Sequence, residues 1–110
     1  MAATKLSRIM TALDDIQAQE VVCIDIGKVS DLADSMIICS SKSHRHARSI
    51  LDAILELKQH IDEDIPVVEG ADYADWILID YHDIIIHIMM PEVRDYYALE
   101  KLWDKHLDSD

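Results

Sequence analysis

Lys42-Ser43-His44-Arg45-His46-Ala47-Arg48 gathers three cations and two histidines at the point where a helical pattern begins. Free amides at a helix start favour anions, so Arg45 and His46 are candidate contacts for a phosphate or for RNA. Lys42 and Arg48 are expected to balance neighbouring carboxylates instead. Two histidines two residues apart near a helix start converge poorly on one ion, even with Asp25 or Asp34 close by, and no metal site is expected. Ser40, Ser41 and Ser43 lie near these histidines without a G-x-S-x-G elbow, which leaves nucleophilic catalysis without its motif. The chain has two glycines, Gly27 and Gly70, too far apart for a P-loop or a dinucleotide fingerprint. No cofactor is expected. Asp25, Asp31, Asp34 and Asp80 are read mainly as solvated carboxylates of an acidic chain.

A second group of residues offers recognition rather than catalysis. Trp76 to Met90 reads as two strands joined by a turn at His82-Asp83. Antiparallel pairing then sets Tyr81 opposite Ile84, Ile79 opposite Ile86 and Ile77 opposite Ile88, an apolar face that belongs in a core. The alternate positions pair Asp80 with Ile85, Leu78 with His87 and Trp76 with Met89. That mixed face is expected to meet a partner, with Trp76, Leu78 and Met89 as its apolar centre and Asp80 pairing with a Lys or Arg. His87, Glu92 and Arg94 are further contact candidates. For Trp76 the alternative is burial under the last helix, and for His87 a packing role. Tyr96, Leu99 and Trp103 are assigned to the core.

The elements that would hold these groups follow from periodicity. Leu6, Ile9, Met10, Leu13 and Ile16 recur at helical spacing behind a capping Thr4, which predicts a helix over residues 5–19. Val21 to Ile26, stopped by Gly27, and Met36 to Cys39 predict two strands. Ser43 caps a long helix carrying Ala47, Ile50, Leu51, Ile54, Leu57 and Ile61. Pro66 to Gly70 predicts a short strand at or near a sheet edge, since proline cannot donate to a ladder. The hairpin follows, and Pro91 opens a last helix with Tyr96, Leu99, Leu102, Trp103 and Leu107 on it. The expected fold is α/β, a mixed five-stranded sheet with packed helices in the order α-β-β-α-β-β-β-α.

At 110 residues the chain is expected to be a single domain over residues 1–110. Its 22 acidic and 10 basic residues give a formal net charge of -12. A field of that sign repels phosphate backbones and anionic lipid heads and attracts basic proteins, so neither general nucleic-acid binding nor membrane binding is expected. The first residues lack the apolar core of a signal peptide and no membrane-length apolar run exists, which points to the cytoplasm. Cys23 and Cys39 are expected to be buried, reduced thiols.

Several blocks together carry a family resemblance. Ser30 to Asp34 with Ser35-Met36-Ile37-Ile38, Ser40 to His46, Glu69-Gly70, Trp76 to Tyr81, Asp83 to His87, and Glu92 to Trp103 resemble the ribosomal silencing factor family, also called RsfS or Iojap. The match spans nearly the whole chain. It implies a non-enzymatic translation repressor that binds a basic protein of the large ribosomal subunit, the fourteenth of the L series, and sterically blocks joining of the small subunit when nutrients are short. It also implies a nucleotidyltransferase-like fold without the catalytic Gly-Ser and paired-carboxylate motif; here Gly27 is followed by Lys28. Two positions depart from the family pattern: His82 stands where a glycine is usual in the hairpin turn, and Ser40-Ser41 replaces a small-glycine step. Two alternatives remain at this level. One is a nucleotidyltransferase-type enzyme with magnesium on Asp25 and Asp34 and phosphate near Arg45; the other is a generic homodimeric adaptor. A homodimer is compatible with every reading, as is contact between Arg45 and ribosomal RNA beside the partner.

Overall fold

The computed structural model describes residues 4–28, 31, 33–59 and 65–99, excepting the side chain of Gln59. The chain runs through α1 (Lys5–Asp15), β1 (Gln19–Asp25), β2 (Ser35–Ser40), α2 (His44–Glu56) with a 3-10 turn at Leu57–Gln59, β3 (Val67–Glu69), β4 (Trp76–Tyr81), β5 (Ile84–Met89) and α3 (Pro91–Tyr97). This is the order the periodicity predicts. The five strands form one mixed sheet in the order β1-β2-β5-β4-β3. Only β2 and β5 run parallel; the other three pairings are antiparallel. Pro66 thus immediately precedes an edge strand, as its missing donor demands.

Both longer helices start with side-chain caps. Thr4 Oγ1 accepts from the Ser7 amide at 3.1 Å and Ser43 Oγ from the His46 amide at 3.0 Å. α1 ends earlier than the predicted residue 19. Gln17 takes a left-handed φ of 61°, while the amides of Gln17 and Ala18 donate to the carbonyls of Asp14 and Leu13 at 3.0 and 2.9 Å. That is a Schellman-type stop built without glycine. α3 also stops short, because Ala98 turns left-handed and its amide donates to the Arg94 carbonyl at 2.8 Å. Leu102, Trp103 and Leu107, assigned to this helix, and Ile61, assigned to α2, lie outside the described residues.

The hairpin register matches the expectation pair by pair, from Tyr81 opposite Ile84 to Trp76 opposite Met89. One sheet face carries Ile37, Ile77, Ile79, Tyr81, Ile84, Ile86 and Ile88, all buried beneath Ile9 and Leu13 of α1 and Ala47, Ile50 and Ile54 of α2. The other face builds a second cluster from Ile24, Met36, Ile38 and Met89, against which Val93 and Leu99 pack. Cys39 is buried as expected, but Cys23 is exposed, because β1 is an edge strand and only one side of it is covered. Tyr96, assigned to the core, is 83% exposed: the turn of α3 that buries Arg94 and packs Val93 against the sheet points Tyr96 outward.

Candidate functional site

The second sheet face is best followed along its cross-strand rows. One row reads Val22, Ile38, His87, Leu78, Glu69, and the next Ile24, Met36, Ile85, Asp80, Val67, from β1 to β3. Exposure rises along both from β2 to β3. Ile38 is fully buried and Met36 nearly so, Leu78 is half-buried, and Asp80, Glu69 and Val67 are exposed. α3 lies over the β2 and β5 half through Val93, so among the described residues the β4 and β3 half is left open.

Trp76 sits where the covered half meets the open one. Its indole N–H donates to His87 Nδ1 at 2.9 Å, and the Tyr97 ring lies 4.7 Å from it, centre to centre. The indole is therefore half-buried, gripped by one ring from β5 and one from α3. Because an indole N–H only donates, His87 Nδ1 must carry a lone pair. Burial alone pushes the His87 imidazole down to about 4, since no carboxylate offsets the loss of hydration.

Of the residues assigned to partner contact, four fit an open surface and three do not. Trp76 and Leu78 are half-buried, and Asp80 and Glu92 are exposed. Met89 is fully buried beneath the face, His87 is 7% exposed and Arg94 8% exposed. Arg94 Nη1 donates to Ser40 Oγ at 3.0 Å, tying α3 to β2. These three brace the surface rather than form it. Alternation placed Met89 on the correct face but could not show that α3 covers that end. Three residues of this surface were missed: Val67 at 60% exposed and the exposed Glu69 on β3, and Tyr97 at 53% exposed on α3. Val67 follows from pairing β3 with β4, and Tyr97 from its four-residue spacing to Val93 on α3.

The turns around this face are locked by backbone chemistry. His82 adopts a φ of 67°, and Asp80 Oδ1 accepts from its amide at 3.1 Å, so the turn forms with histidine in a left-handed conformation. Lys5 reaches from α1 to the same turn and pairs with Asp83 at 2.6 Å, which holds the Asp83 carboxyl below its ordinary range. Gly70 has a φ of 83°, and a Cβ there would lie 2.2 Å from the Trp76 carbonyl oxygen. Arg48 Nη2 donates to the Asp72 carbonyl at 2.7 Å, and His44 pairs with Asp75, so α2 fastens the loop that delivers Trp76.

Comparison with known proteins agrees with this architecture. A family model described as ribosomal silencing factor during starvation matches residues 1–110. The ribosomal silencing factor RsfS of Zymomonas mobilis is 36% identical over 105 residues, covering 96% of this chain and 79% of that protein. RsfS of Chromobacterium violaceum is 33% identical over 92 residues, covering 84% and 75%. A crystal structure of a protein from Chromobacterium violaceum superposes with a TM-score of 0.86 at 30% identity, covering 91% of this chain and 83% of that one. The chain belongs to the ribosomal silencing factor family. RsfS proteins are ribosome-associated regulators of translation, not a family of enzymes.

In this RsfS chain the helix-start residues divide differently from the expectation. His46 is a structural bridge: Nδ1 accepts from the Lys42 amide at 2.9 Å and Nε2 donates to the Ile16 carbonyl at 2.8 Å, joining the end of α1 to the start of α2. Both ring nitrogens are used, which removes it as an anion contact. Arg45 is exposed. Lys42 and Arg48 bind a glutamine oxygen and backbone carbonyls rather than carboxylates. Asp25 and Asp34 flank Gly27 at the far end of β2 from Arg45, roughly 20 Å away at the rise of six extended residues. A magnesium on those aspartates would not reach a phosphate held near Arg45. Among the described residues no three His, Cys, Asp or Glu side chains converge as metal ligands. None of the described helices is long and apolar enough to cross a membrane.

Proposed function

We propose that this chain is a cytoplasmic, single-domain translation repressor that uses the open half of the hairpin face to dock on a basic protein of the large ribosomal subunit. The fourteenth protein of the L series is the proposed partner. The docked chain sterically blocks joining of the small subunit, without a cofactor or a catalytic step. The observation that carries this reading is the indole of Trp76, half-buried and braced by His87 and Tyr97, beside a surface of Leu78, Val67, Asp80 and Glu69. Binding energy in such surfaces concentrates in a few aromatic anchors ringed by polar groups. Asp80, Glu69 and Glu92 add no positive charge to that ring, which suits a basic partner.

Trp76→Ala is expected to weaken binding to purified large subunits by about thirtyfold or more, the scale of losing one anchor. Sedimentation with ribosomal subunits reads both co-migration with the large subunit and loss of joined ribosomes. Circular dichroism of the variant checks that the fold persists. A folded Trp76→Ala protein that co-migrates and blocks joining like the wild type would overturn the proposal. A second copy of the chain is the alternative occupant of this face, and a mass that halves on Trp76→Ala without a change in ribosome binding would favour it.

A further inference from the structure

We propose that His87 is the positioning residue of the docking face, acting through Trp76 rather than by touching the partner. The proposal rests on the docking role of Trp76 given above. His87 stands between Ile38 and Leu78 in its row, with Trp76 on the diagonal two residues along β4. It is 7% exposed, and the hydrogen bond from Trp76 is the one its imidazole makes among the described residues. An imidazole in an apolar row costs free energy to desolvate that a leucine would not. The return on that cost is a fixed acceptor for the indole N–H.

Two consequences follow for recognition. The indole is tilted 50° to the His87 ring and 52° to the Tyr97 ring, so a hydrogen-bonded imidazole and a phenol ring both fix its orientation. An anchor already in its bound rotamer gives up less side-chain entropy on docking. The indole N–H, used internally, is also unavailable to the partner. The partner therefore meets Trp76 through its ring edge and face, by apolar packing or by placing a cation over it, and not as a hydrogen-bond acceptor.

The test compares His87→Leu, His87→Asn, Trp76→Phe and the double variant His87→Leu/Trp76→Phe in binding to purified large subunits, with thermal midpoints alongside. Labelling with ¹⁵N follows the Trp76 indole proton directly. His87→Leu is expected to weaken binding about tenfold, the worth of one hydrogen bond, without lowering the midpoint. His87→Asn is expected to recover most of that loss, since its Oδ1 offers an acceptor near the position of Nδ1. Trp76→Phe is expected to cost about the same, and the double variant no more than either, because both break one bond. If His87→Leu binds like the wild type while Trp76→Ala does not bind, the positioning role falls and the docking face stands. If Trp76→Ala binds like the wild type, both fall. Should His87→Leu fail to fold, Trp76→Phe decides alone: undiminished binding removes the role of the hydrogen bond.

Discussion

At the scale of single residues, the face is defined by which polar atoms are paired beneath it. His87 is the clearest case, and it makes stability depend on pH in a definite direction. In the unfolded chain its imidazole takes a proton near 6.5, but in the folded protein burial holds this off until about 4. Above 6.5 both states are neutral and the folded protein keeps its full stability. As pH falls from 6.5 towards 4 only the unfolded state gains the proton, so stability is lost across that window. The loss attributable to His87 is expected to reach roughly 2–3 kcal/mol between pH 7 and pH 4.5. Urea midpoints at the two pH values, compared between wild type and His87→Leu, isolate it from the carboxylates that titrate in both proteins. A variant as acid-sensitive as the wild type would contradict the assignment. The sequence shows at this scale that Trp76 and Met89 share a face, because alternation along each strand and the two-residue turn between them set it. It does not show that Met89 is buried and Trp76 only half so, because that depends on where α3 lands.

At the scale of elements, the hairpin register was legible in the sequence because only one two-residue loop sets all the apolar positions of both strands on one side. The strand order follows less directly, and the helix ends not at all: Gln17 and Ala98 terminate α1 and α3 in left-handed conformations that their residue types do not announce. The connection from β3 to β4 is where a single atom matters most. Gly70 turns with a φ of 83° and packs against the Trp76 carbonyl, with no room for a Cβ. Backbone on one side and strand pairing on the other leave nothing flexible to yield. Gly70→Ala is expected to destabilise the protein by roughly 2–4 kcal/mol, from strain at positive φ plus displacement of the start of β4. It is also expected to weaken ribosome binding in the folded fraction, since the displaced residue is Trp76. A melting temperature and a subunit-binding titration on the same sample separate the two effects. A variant with unchanged stability would show that the β3 to β4 turn relaxes around the added methyl group.

At the scale of the whole molecule, the formal net charge of -12 decides how partners are approached rather than how they are held. A surplus of 12 carboxylates over cations, from 22 acidic and 10 basic residues, draws in basic protein surface and is repelled by ribosomal RNA phosphates. On a ribosome these two forces compete, and the chain is steered towards places where basic protein emerges from the RNA. Steering of this kind raises the association rate and is screened beyond about 8 Å at physiological salt. The proposed contacts at Trp76 and Leu78 are mainly apolar and would respond little to salt. Raising monovalent salt from 50 to 500 mM is therefore expected to slow association with the large subunit by roughly tenfold or more while changing dissociation much less. Stopped-flow or surface-immobilised subunits at several salt concentrations read the two rates separately. Association that quickens with salt would mean that repulsion from RNA dominates the approach, and the partner would then have to be sought away from basic protein.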